Sequence, residues 1–126
     1  MGADAAAKEL GRRGEDLAAE HFARLGYRVL ARNARTRRGE LDLVLATQDG
    51  GAIVFAEVKT RRLGTAGDPW DKLDVAKCRQ VRRMAIEWLM KTDERPWWAE
   101  MRFDAVGVTL TPAGELVRLD HLEAAF

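Results

Sequence analysis

Cysteine, histidine and proline are all scarce in this sequence of 126 residues, which contains one, two and three of them respectively. The single cysteine, Cys78, excludes an internal disulfide bond and a zinc site built from several cysteines. No Ser-His-Asp or Cys-His set of catalytic residues is apparent in the sequence. Because a lone cysteine suits a reducing compartment, we expect a cytoplasmic protein.

Long apolar runs are missing as well. No stretch approaches the roughly 20 residues that a membrane-spanning helix needs, and residues 1–15 lack the apolar centre of a signal peptide. We therefore expect no membrane partner. The composition, with 47% hydrophobic and 33% charged residues, is that of an ordinary globular protein. The length suits one hydrophobic core, so we predict a single domain over residues 1–126.

The net charge is only +1, but the positive residues are grouped along the chain. Residues 24–38 contain six arginines and no acid, and further groups lie just after residue 58 and over residues 72–83. A single group of this kind is typical of an ordinary solvated surface. Three groups in one small domain favour a basic face, which nucleic acid would bind.

Apolar residues at helical spacing predict two helices, over residues 4–25 and 74–91, the second beginning at Asp74 as its N-cap. Strands are predicted over residues 27–31, 39–60 (a hairpin), 101–110 and 115–119. Residues 33–38 are expected to form a polar connection, and the apolar tail, residues 122–126, is expected to dock on the domain. This order of elements predicts an α/β fold, a mixed sheet with helices on its faces.

The hairpin is the most informative element. Asp49-Gly50 is a strong signal for a two-residue turn. That turn predicts Asp42 opposite Glu57, and Glu40 opposite Lys59, on one face of the hairpin. The other face carries only apolar residues, namely Leu41, Leu43, Leu45, Val54, Ala56 and Val58. Opposed residues have Cβ atoms about 4.5 to 5.5 Å apart, so two half-buried carboxylates would meet.

The sequence also allows a second pairing register for the two strands of this hairpin. If Gly50-Gly51 formed the turn instead, Asp42 would face Lys59 in a simple cross-strand ion pair without chemistry. In either register Asp42, Glu57 and Lys59 share one face of the hairpin.

Two adjacent carboxylates require a nearby positive charge, and Mg²⁺ or Mn²⁺ suits carboxylate and water ligands. Such an ion neutralises a phosphate and lowers the pKa of an attacking water, which is the chemistry of phosphodiester hydrolysis. Lys59, two residues after Glu57, would stabilise charge on the phosphate. Glu15 on the first helix would complete the metal shell through a water.

The chain resembles the YraN-like family of bacterial proteins, a branch of the PD-(D/E)xK nuclease superfamily similar to archaeal Holliday-junction resolvases. The matching motifs, spread over nearly the whole chain, are Gly11-x-x-Gly14-Glu15, Gly26-Tyr27, Asn33-x-Arg35, Gly39-Glu40-Leu41-Asp42-Leu43, Phe55-Ala56-Glu57-Val58-Lys59-Thr60-Arg61, Gly67-x-Pro69, Lys77 and Arg102-Phe103-Asp104. One departure is Ala66, where a bulky aromatic residue is usual, and it concerns the packing of the loop rather than the site.

The resemblance implies a restriction-endonuclease-like fold and a site in which Asp42, Glu57 and the Val58 carbonyl bind the metal. Lys59 would be the catalytic lysine and Glu15 the carboxylate supplied by the helix. A homodimer acting on branched DNA is a further implication. The residues expected to bind nucleic acid, DNA rather than RNA, are Arg35, Arg37, Arg38, Arg61 and Lys77.

Several other residues have an ordinary structural explanation. Arg102 and Asp104 alternate along one strand face, which is typical of a structural ion pair. His21 lies on the apolar stripe of the first helix and is expected in the core, whereas His121 has no evident partner. Lys77 would either reach a phosphate or extend its amine to water. Trp97-Trp98 would either close the core or stack on unpaired bases.

The leading hypothesis is a metal-dependent endonuclease that hydrolyses DNA phosphodiester bonds. One alternative is a non-catalytic module on the same fold that binds nucleic acid through its arginines. A scaffold that binds a protein partner and no nucleic acid is the third hypothesis.

Overall fold

A five-stranded mixed sheet lies between two helices in the computed structural model, which describes residues 2–92 and 100–126. The elements are α1 (Ala3–Arg24), β1 (Arg28–Thr36), β2 (Gly39–Ala46), β3 (Ala52–Arg62), α2 (Val75–Lys91), β4 (Glu100–Leu110) and β5 (Leu116–Leu122). The strands follow one another in chain order across the sheet. Only β3 and β4 are parallel, and α2 connects them.

The two helices cover opposite faces of the sheet, each through its own apolar cluster. On α1, Leu17, Ala18 and Phe22 pack against a cluster that includes Leu43 and Val54. On α2, Val81, Met84 and Ala85 are buried against Val44, Ile53, Phe55 and Phe103. Asp74 caps α2 by accepting a hydrogen bond from the Lys77 amide at 2.9 Å. The predicted single α/β domain with a mixed sheet is confirmed, and it is consistent with a restriction-endonuclease-like fold.

The predicted hairpin register is confirmed, although the predicted turn is wrong. Leu43 pairs with Ala56 and Ala46 with Ile53, which excludes the alternative register. The loop is longer than two residues, because the Thr47 amide bonds to the Ala52 carbonyl and Gly50 closes a turn on Thr47. The Asp49 carboxylate holds this loop by accepting from Thr47 Oγ1 and from the Gly51 amide.

Two expectations on β1 and β2 need correction. Residues 33–36, expected in a polar connection, continue β1 and pair with β2 as far as Thr36 and Gly39. Because β1 is an edge strand, its arginines extend into solvent without breaking the pairing. Leu41, expected with Leu43, packs in the cluster under α2 instead. The pairing of β2 with β3 ends at Leu43 and Ala56. Beyond that pair, strict alternation of side chains no longer determines which face of the sheet Leu41 occupies.

The C-terminal tail docks as predicted. The Ala125 amide bonds to the Phe103 carbonyl at 2.7 Å, and the rings of Phe126 and Phe103 lie 5.5 Å apart. Strand β5 extends to Leu122, beyond the predicted end at residue 119. The Trp97-Trp98 prediction lies outside the described residues. None of the helices that the structure describes is long and apolar enough to cross a membrane.

Arg102 and Asp104 form the predicted structural ion pair, and the structure adds a partner for His121. The Asp104 carboxylate is fully buried and accepts two 2.8 Å bonds from the Arg102 guanidinium. His121 Nε2 lies 2.8 Å from Asp104 Oδ2, and His21 Nε2 lies 2.9 Å from His121 Nδ1. Burial alone would raise the pKa of Asp104, but hydrogen bonds from Arg102, His121 and the Ala124 amide hold it below its ordinary value.

Replacing Asp104 by Asn is expected to lower the free energy of unfolding at pH 7 by about 3 kcal/mol, because the buried Arg102 loses its counter-charge. Since the pKa of Asp104 is lowered on folding, its contribution is present in full above the ordinary value of 3.8 and is lost as the pH falls through the folded value. Urea unfolding at pH 7 and at a series of pH values below 3.8 measures both effects, and the stabilities of the variant and the wild type should converge as the pH falls.

Arg118 and Asp120 provide a matched control, because they repeat the same Arg-x-Asp spacing on β5 with a 2.8 Å contact that is exposed. Asp120→Asn should cost less than about 0.5 kcal/mol. Equal losses in the two variants would contradict the structural role assigned to Asp104.

Candidate active site

Asp42 and Glu57 come together where β2 and β3 separate. The paired part of the two strands, the β2–β3 ladder, ends at Leu43 and Ala56. Asp42 and Glu57 are the next residues beyond that end. There the Asp42 carboxylate takes the place of a strand partner, since its Oδ2 accepts a 2.8 Å hydrogen bond from the Val58 amide. Glu57 is only 2% exposed. The ladder does not reach Glu40, which pairs with Arg35 on β1 rather than lying opposite Lys59.

Both carboxyl groups hold protons more tightly than usual. Burial raises the pKa of Asp42 to about 7, and repulsion from Glu57 adds to the effect against the opposing bond from the Val58 amide. The pKa of Glu57 is also raised by burial, although the charges of Lys77 and Lys59 act in the other direction. A pair of buried carboxyls with raised pKa values is expected at functional sites rather than in an optimised core.

Lys77 supplies the counter-charge of Glu57. It lies in the first turn of α2, and its Nζ is 3.4 Å from Glu57 Oε1. The expectation that its amine extends to water is therefore wrong, because the buried carboxylate attracts it. Glu57 Oε2 is buried and has no hydrogen-bond partner among the residues that the structure describes. One oxygen of this carboxylate is thus available to a ligand, and leaving it unpaired is costly.

Glu15 reaches the same site from α1. Its charge contributes to the raised pKa of Asp42, which places it near that carboxyl group. Glu15 Oε1 accepts a 3.1 Å hydrogen bond from the side chain of Asn33 on β1. Asn33 has a positive φ of 50°, a conformation that Asn tolerates better than most residues. This role of Asn33 was not predicted, although Asn33 belongs to the Asn33-x-Arg35 motif of the family resemblance.

Gly14 brings α1 close enough to the sheet for Glu15 to reach the site. A Cβ atom built at Gly14 would lie 2.7 Å from Thr60 Cβ, which is closer than real side chains pack. Gly14 is therefore a close-packing residue between α1 and β3. Gly11 has nothing within 4 Å of such an atom.

The arginines predicted to bind nucleic acid differ in their contacts. Arg35 pairs with Glu40 at 3.3 Å and Arg37 with Glu87 at 3.3 Å, while both arginine side chains stay largely exposed. Arg38 is exposed in the turn between β1 and β2. Arg61 instead bonds to the Gly67 carbonyl at 2.8 Å and so holds the loop that follows β3.

The donor set fits a hard divalent cation. Among residues 2–92 and 100–126, no three His, Cys, Asp or Glu side chains form a ready-made metal cage. Mg²⁺, however, is usually bound through one or two carboxylates and keeps several waters. Asp42 together with the unpaired oxygen of Glu57 provides such a pair.

Comparison with known proteins identifies the family. Residues 14–108 match the profile described as "Uncharacterised protein family UPF0102". The chain belongs to the UPF0102 family. The YraN-like resemblance is thereby confirmed. A UPF0102 protein of Nocardia farcinica is 42% identical over 117 residues, which cover 93% of this chain and 88% of that protein. Another, from Symbiobacterium thermophilum, is 43% identical over 109 residues, covering 86% and 89% of the two chains.

Among solved structures, this UPF0102 protein is similar to SfsA of Pyrococcus furiosus, determined in complex with Ca²⁺. The sequences are 13% identical, the TM-score is 0.38, and the match covers 92% of this chain and 64% of SfsA. Such a score does not establish a shared fold. The function of the UPF0102 chain has to be argued from its own residues.

Asp42→Asn is expected to stabilise the metal-free protein at pH 8 by about 1 to 3 kcal/mol, because a buried charge with a pKa of about 7 is removed. Asn can still accept from the Val58 amide. Since the pKa is raised on folding, wild-type stability should decrease as the pH rises from about 4 to about 7. Chemical unfolding in EDTA across this range measures both effects.

Glu40→Gln is the control, because Glu40 lies on the same strand but is exposed. Its stability should follow that of the wild type. An Asp42→Asn protein less stable than the wild type at pH 8 would contradict the assigned burial cost.

Gly14→Ala is expected to destabilise the protein by more than about 1 kcal/mol, because the new methyl group meets Thr60. Gly11→Ala, in the same helix with open space around it, should stabilise the protein by up to about 1 kcal/mol through helix propensity. Thermal unfolding of the two variants measures the contrast. Two changes of the same sign would show that α1 does not approach β3 as described.

Proposed function

We propose that this protein is a metal-dependent endonuclease that hydrolyses DNA phosphodiester bonds, with Mg²⁺ or Mn²⁺ as its cofactor. One observation carries the proposal. Half-buried Asp42 and buried Glu57 lie together on neighbouring strands with raised pKa values, and one oxygen of Glu57 has no hydrogen-bond partner among the described residues. A purely structural core would gain stability by replacing this pair with apolar residues.

In the proposed site Asp42, Glu57 and the Val58 carbonyl hold the cation. A divalent ion bound there supplies charge neutralisation of the scissile phosphate and a lowered pKa for a bound water. Burial of the two carboxylates removes competing water from the ligand oxygens, which strengthens their interaction with a cation.

Lys59 lies two residues after Glu57 on β3, so the two side chains share one face of the strand. Its charge lowers the pKa of both Asp42 and Glu57, which places it near both. We assign it the role of orienting the attacking water and stabilising negative charge on the phosphate in the transition state. Glu15, fixed by Asn33, would accept a hydrogen bond from the same water.

A non-catalytic nucleic-acid-binding module is the second candidate. The Lys77–Glu57 ion pair favours it, because Lys77 already balances part of the negative charge of the site. The preference for DNA over RNA, the use of branched DNA and a homodimer rest on the resemblance to junction resolvases alone. They are therefore part of the proposal and not of its support.

Incubation with plasmid, single-stranded and four-way-junction DNA tests the proposal, with and without Mg²⁺ or Mn²⁺. We expect metal-dependent cleavage, which Asp42→Asn and Lys59→Ala each reduce at least about a hundredfold, because each removes a group that acts on the transition state. Glu40→Gln should cleave as the wild type does.

Cleavage that persists in both Asp42→Asn and Lys59→Ala would place the reaction elsewhere or in a contaminant. DNA binding without cleavage by the wild type would support the second candidate. Absence of both binding and cleavage would refute the two candidates together.

A further inference from the structure

A second surface, which we name the α2 groove, lies between the β1–β2 turn and the C-terminal half of α2. It encloses about 500 Å³. We call the two apolar side chains that line it, Ile86 and Met90, its floor, and the cations Arg37, Arg38, Arg83 and Lys91 its rim. None of these residues takes part in the Asp42–Glu57 site, so the groove requires its own explanation.

Glu87 builds the groove by fixing the turn to the helix. Its Oε2 accepts a 2.9 Å hydrogen bond from the Arg37 amide, while its Oε1 lies 3.3 Å from Arg37 Nε and 3.6 Å from Lys91 Nζ. Gln80 adds a bond from its side-chain amide to the Arg38 carbonyl. Because the turn is held at two points along α2, the groove is preformed, which lowers the entropic cost of filling it.

The floor of the groove is apolar and open. Ile86 is 54% exposed and Met90 is 75% exposed, and their spacing of four residues places them one above the other on the helix. Adjacent exposed apolar side chains framed by polar residues are typical of binding surfaces. A ligand that only neutralised the cations of the rim would leave this floor in water.

The rim selects a polyanion. Of the described residues that line the groove, four are cations, and the single acid, Glu87, is already engaged by Arg37 and Lys91. A second copy of the chain is disfavoured as the occupant, because a symmetric contact would set this cationic rim against itself.

Among nucleic acids, an unpaired strand matches both parts of the groove. A duplex turns phosphates and sugars outwards and keeps its base faces stacked inside. A single strand offers phosphates to a cationic rim and exposed base faces to an apolar floor.

The groove and the candidate active site are carried by the same parts of the chain, α2 and the segment that enters β2. Arg38 is four residues from Asp42, with β2 beginning between them at Gly39. Along α2, Arg83 is about 9 Å and Lys91 about 21 Å from Lys77, at 1.5 Å per residue. A strand lying in the groove would therefore extend towards Asp42 and Glu57.

We propose that the α2 groove binds an unpaired nucleic-acid strand and leads it to the Asp42–Glu57 site. The direction of the strand rests on the proposed function, whereas the binding itself does not. This assigns the protein a substrate with a single-stranded segment, such as a flap, a gap or an open junction.

Fluorescence anisotropy in EDTA tests the inference, with a labelled oligothymidine and a duplex of the same length as probes. Ile86→Ser with Met90→Ser should weaken binding of the single strand about tenfold, by removing apolar contacts to bases. Duplex binding should change less than about twofold, because duplex phosphates meet only the cations. Both side chains are more than half exposed, so the variant should fold, and its circular dichroism verifies this.

Leu116→Ser with Val117→Ser is the matched control, because these side chains are similarly exposed on β5, away from the groove. It should bind both probes as the wild type does. Arg38→Ser with Arg83→Ser should weaken binding of both probes and reduce the salt dependence of log K for the single strand by up to about 1.4.

Unchanged affinity for the single strand in both groove variants would overturn the inference. So would a change in sedimentation of the Ile86→Ser, Met90→Ser variant, since that result would assign the floor to self-association. Polyglutamate is a further competitor. If it displaced the labelled strand as effectively, per charge, as oligothymidine does, the groove would be a general anion-binding surface, and the inference would also be overturned.

These outcomes separate the two proposals. Groove-dependent binding without any metal-dependent cleavage would retain the inference and refute the proposed nuclease. Cleavage that is abolished by Asp42→Asn but unaffected by both groove variants, together with unchanged binding, would retain the nuclease and refute the groove.

Discussion

The burial of two carboxylates on adjacent strands is the constraint on which the rest of this structure depends. Asp42 and Glu57 lie where β2 separates from β3, and they are compensated by one backbone amide of the sheet, from Val58, and by one ion pair with Lys77 of α2. That compensation is incomplete, because the pKa values of Asp42 and Glu57 remain raised and Glu57 Oε2 stays unpaired among the described residues. The apolar clusters on the two faces of the sheet have to supply the stability that this site removes.

The surrounding elements each bring at least one group to that point. Strand β3 carries Glu57 and Lys59 on the same face, and the first turn of α2 carries Lys77. Helix α1 delivers Glu15, which requires the close approach at Gly14 and the bond from Asn33. Three layers of the fold therefore converge on one edge of the β2–β3 ladder, although each layer has its own apolar contacts. This convergence explains why a small chain retains polar residues at buried positions.

Sequence patterns predicted the structural features that depend on local periodicity, namely the strand faces and the register of the hairpin. The alternation of apolar residues in the hairpin identified both faces of β3, and the register was right even though the turn was wrong. The loop from Gln48 to Gly51, closed by Thr47 and Ala52, preserves the pairing that a turn at Asp49-Gly50 would have produced. By contrast, no periodicity marks Leu41 as belonging under α2, since that placement follows from the end of the β2–β3 ladder.

Contacts between distant parts of the chain could not be predicted from such local patterns. His121 had no evident partner because its contacts, His21 and Asp104, lie 100 and 17 residues away. Lys77 was expected to extend its amine to water or a phosphate, and only the packing of α2 on β3 brings it to Glu57. The arginines of β1 suggested a loop, since an edge strand tolerates charges that a central strand would exclude.

Among the residues that the structure describes, two buried acids show how burial alone fails to identify a functional group. Asp104 and Glu57 are both almost inaccessible to solvent. Asp104 receives hydrogen bonds on both oxygens, from Arg102, His121 and the Ala124 amide, and its pKa is lowered. Glu57 has a single lysine contact, and its pKa is raised. A satisfied carboxylate gains nothing from a further cation, whereas one with an unpaired oxygen does. The difference in their partners, and not in their depth, therefore assigns Asp104 to the framework and Glu57 to the site.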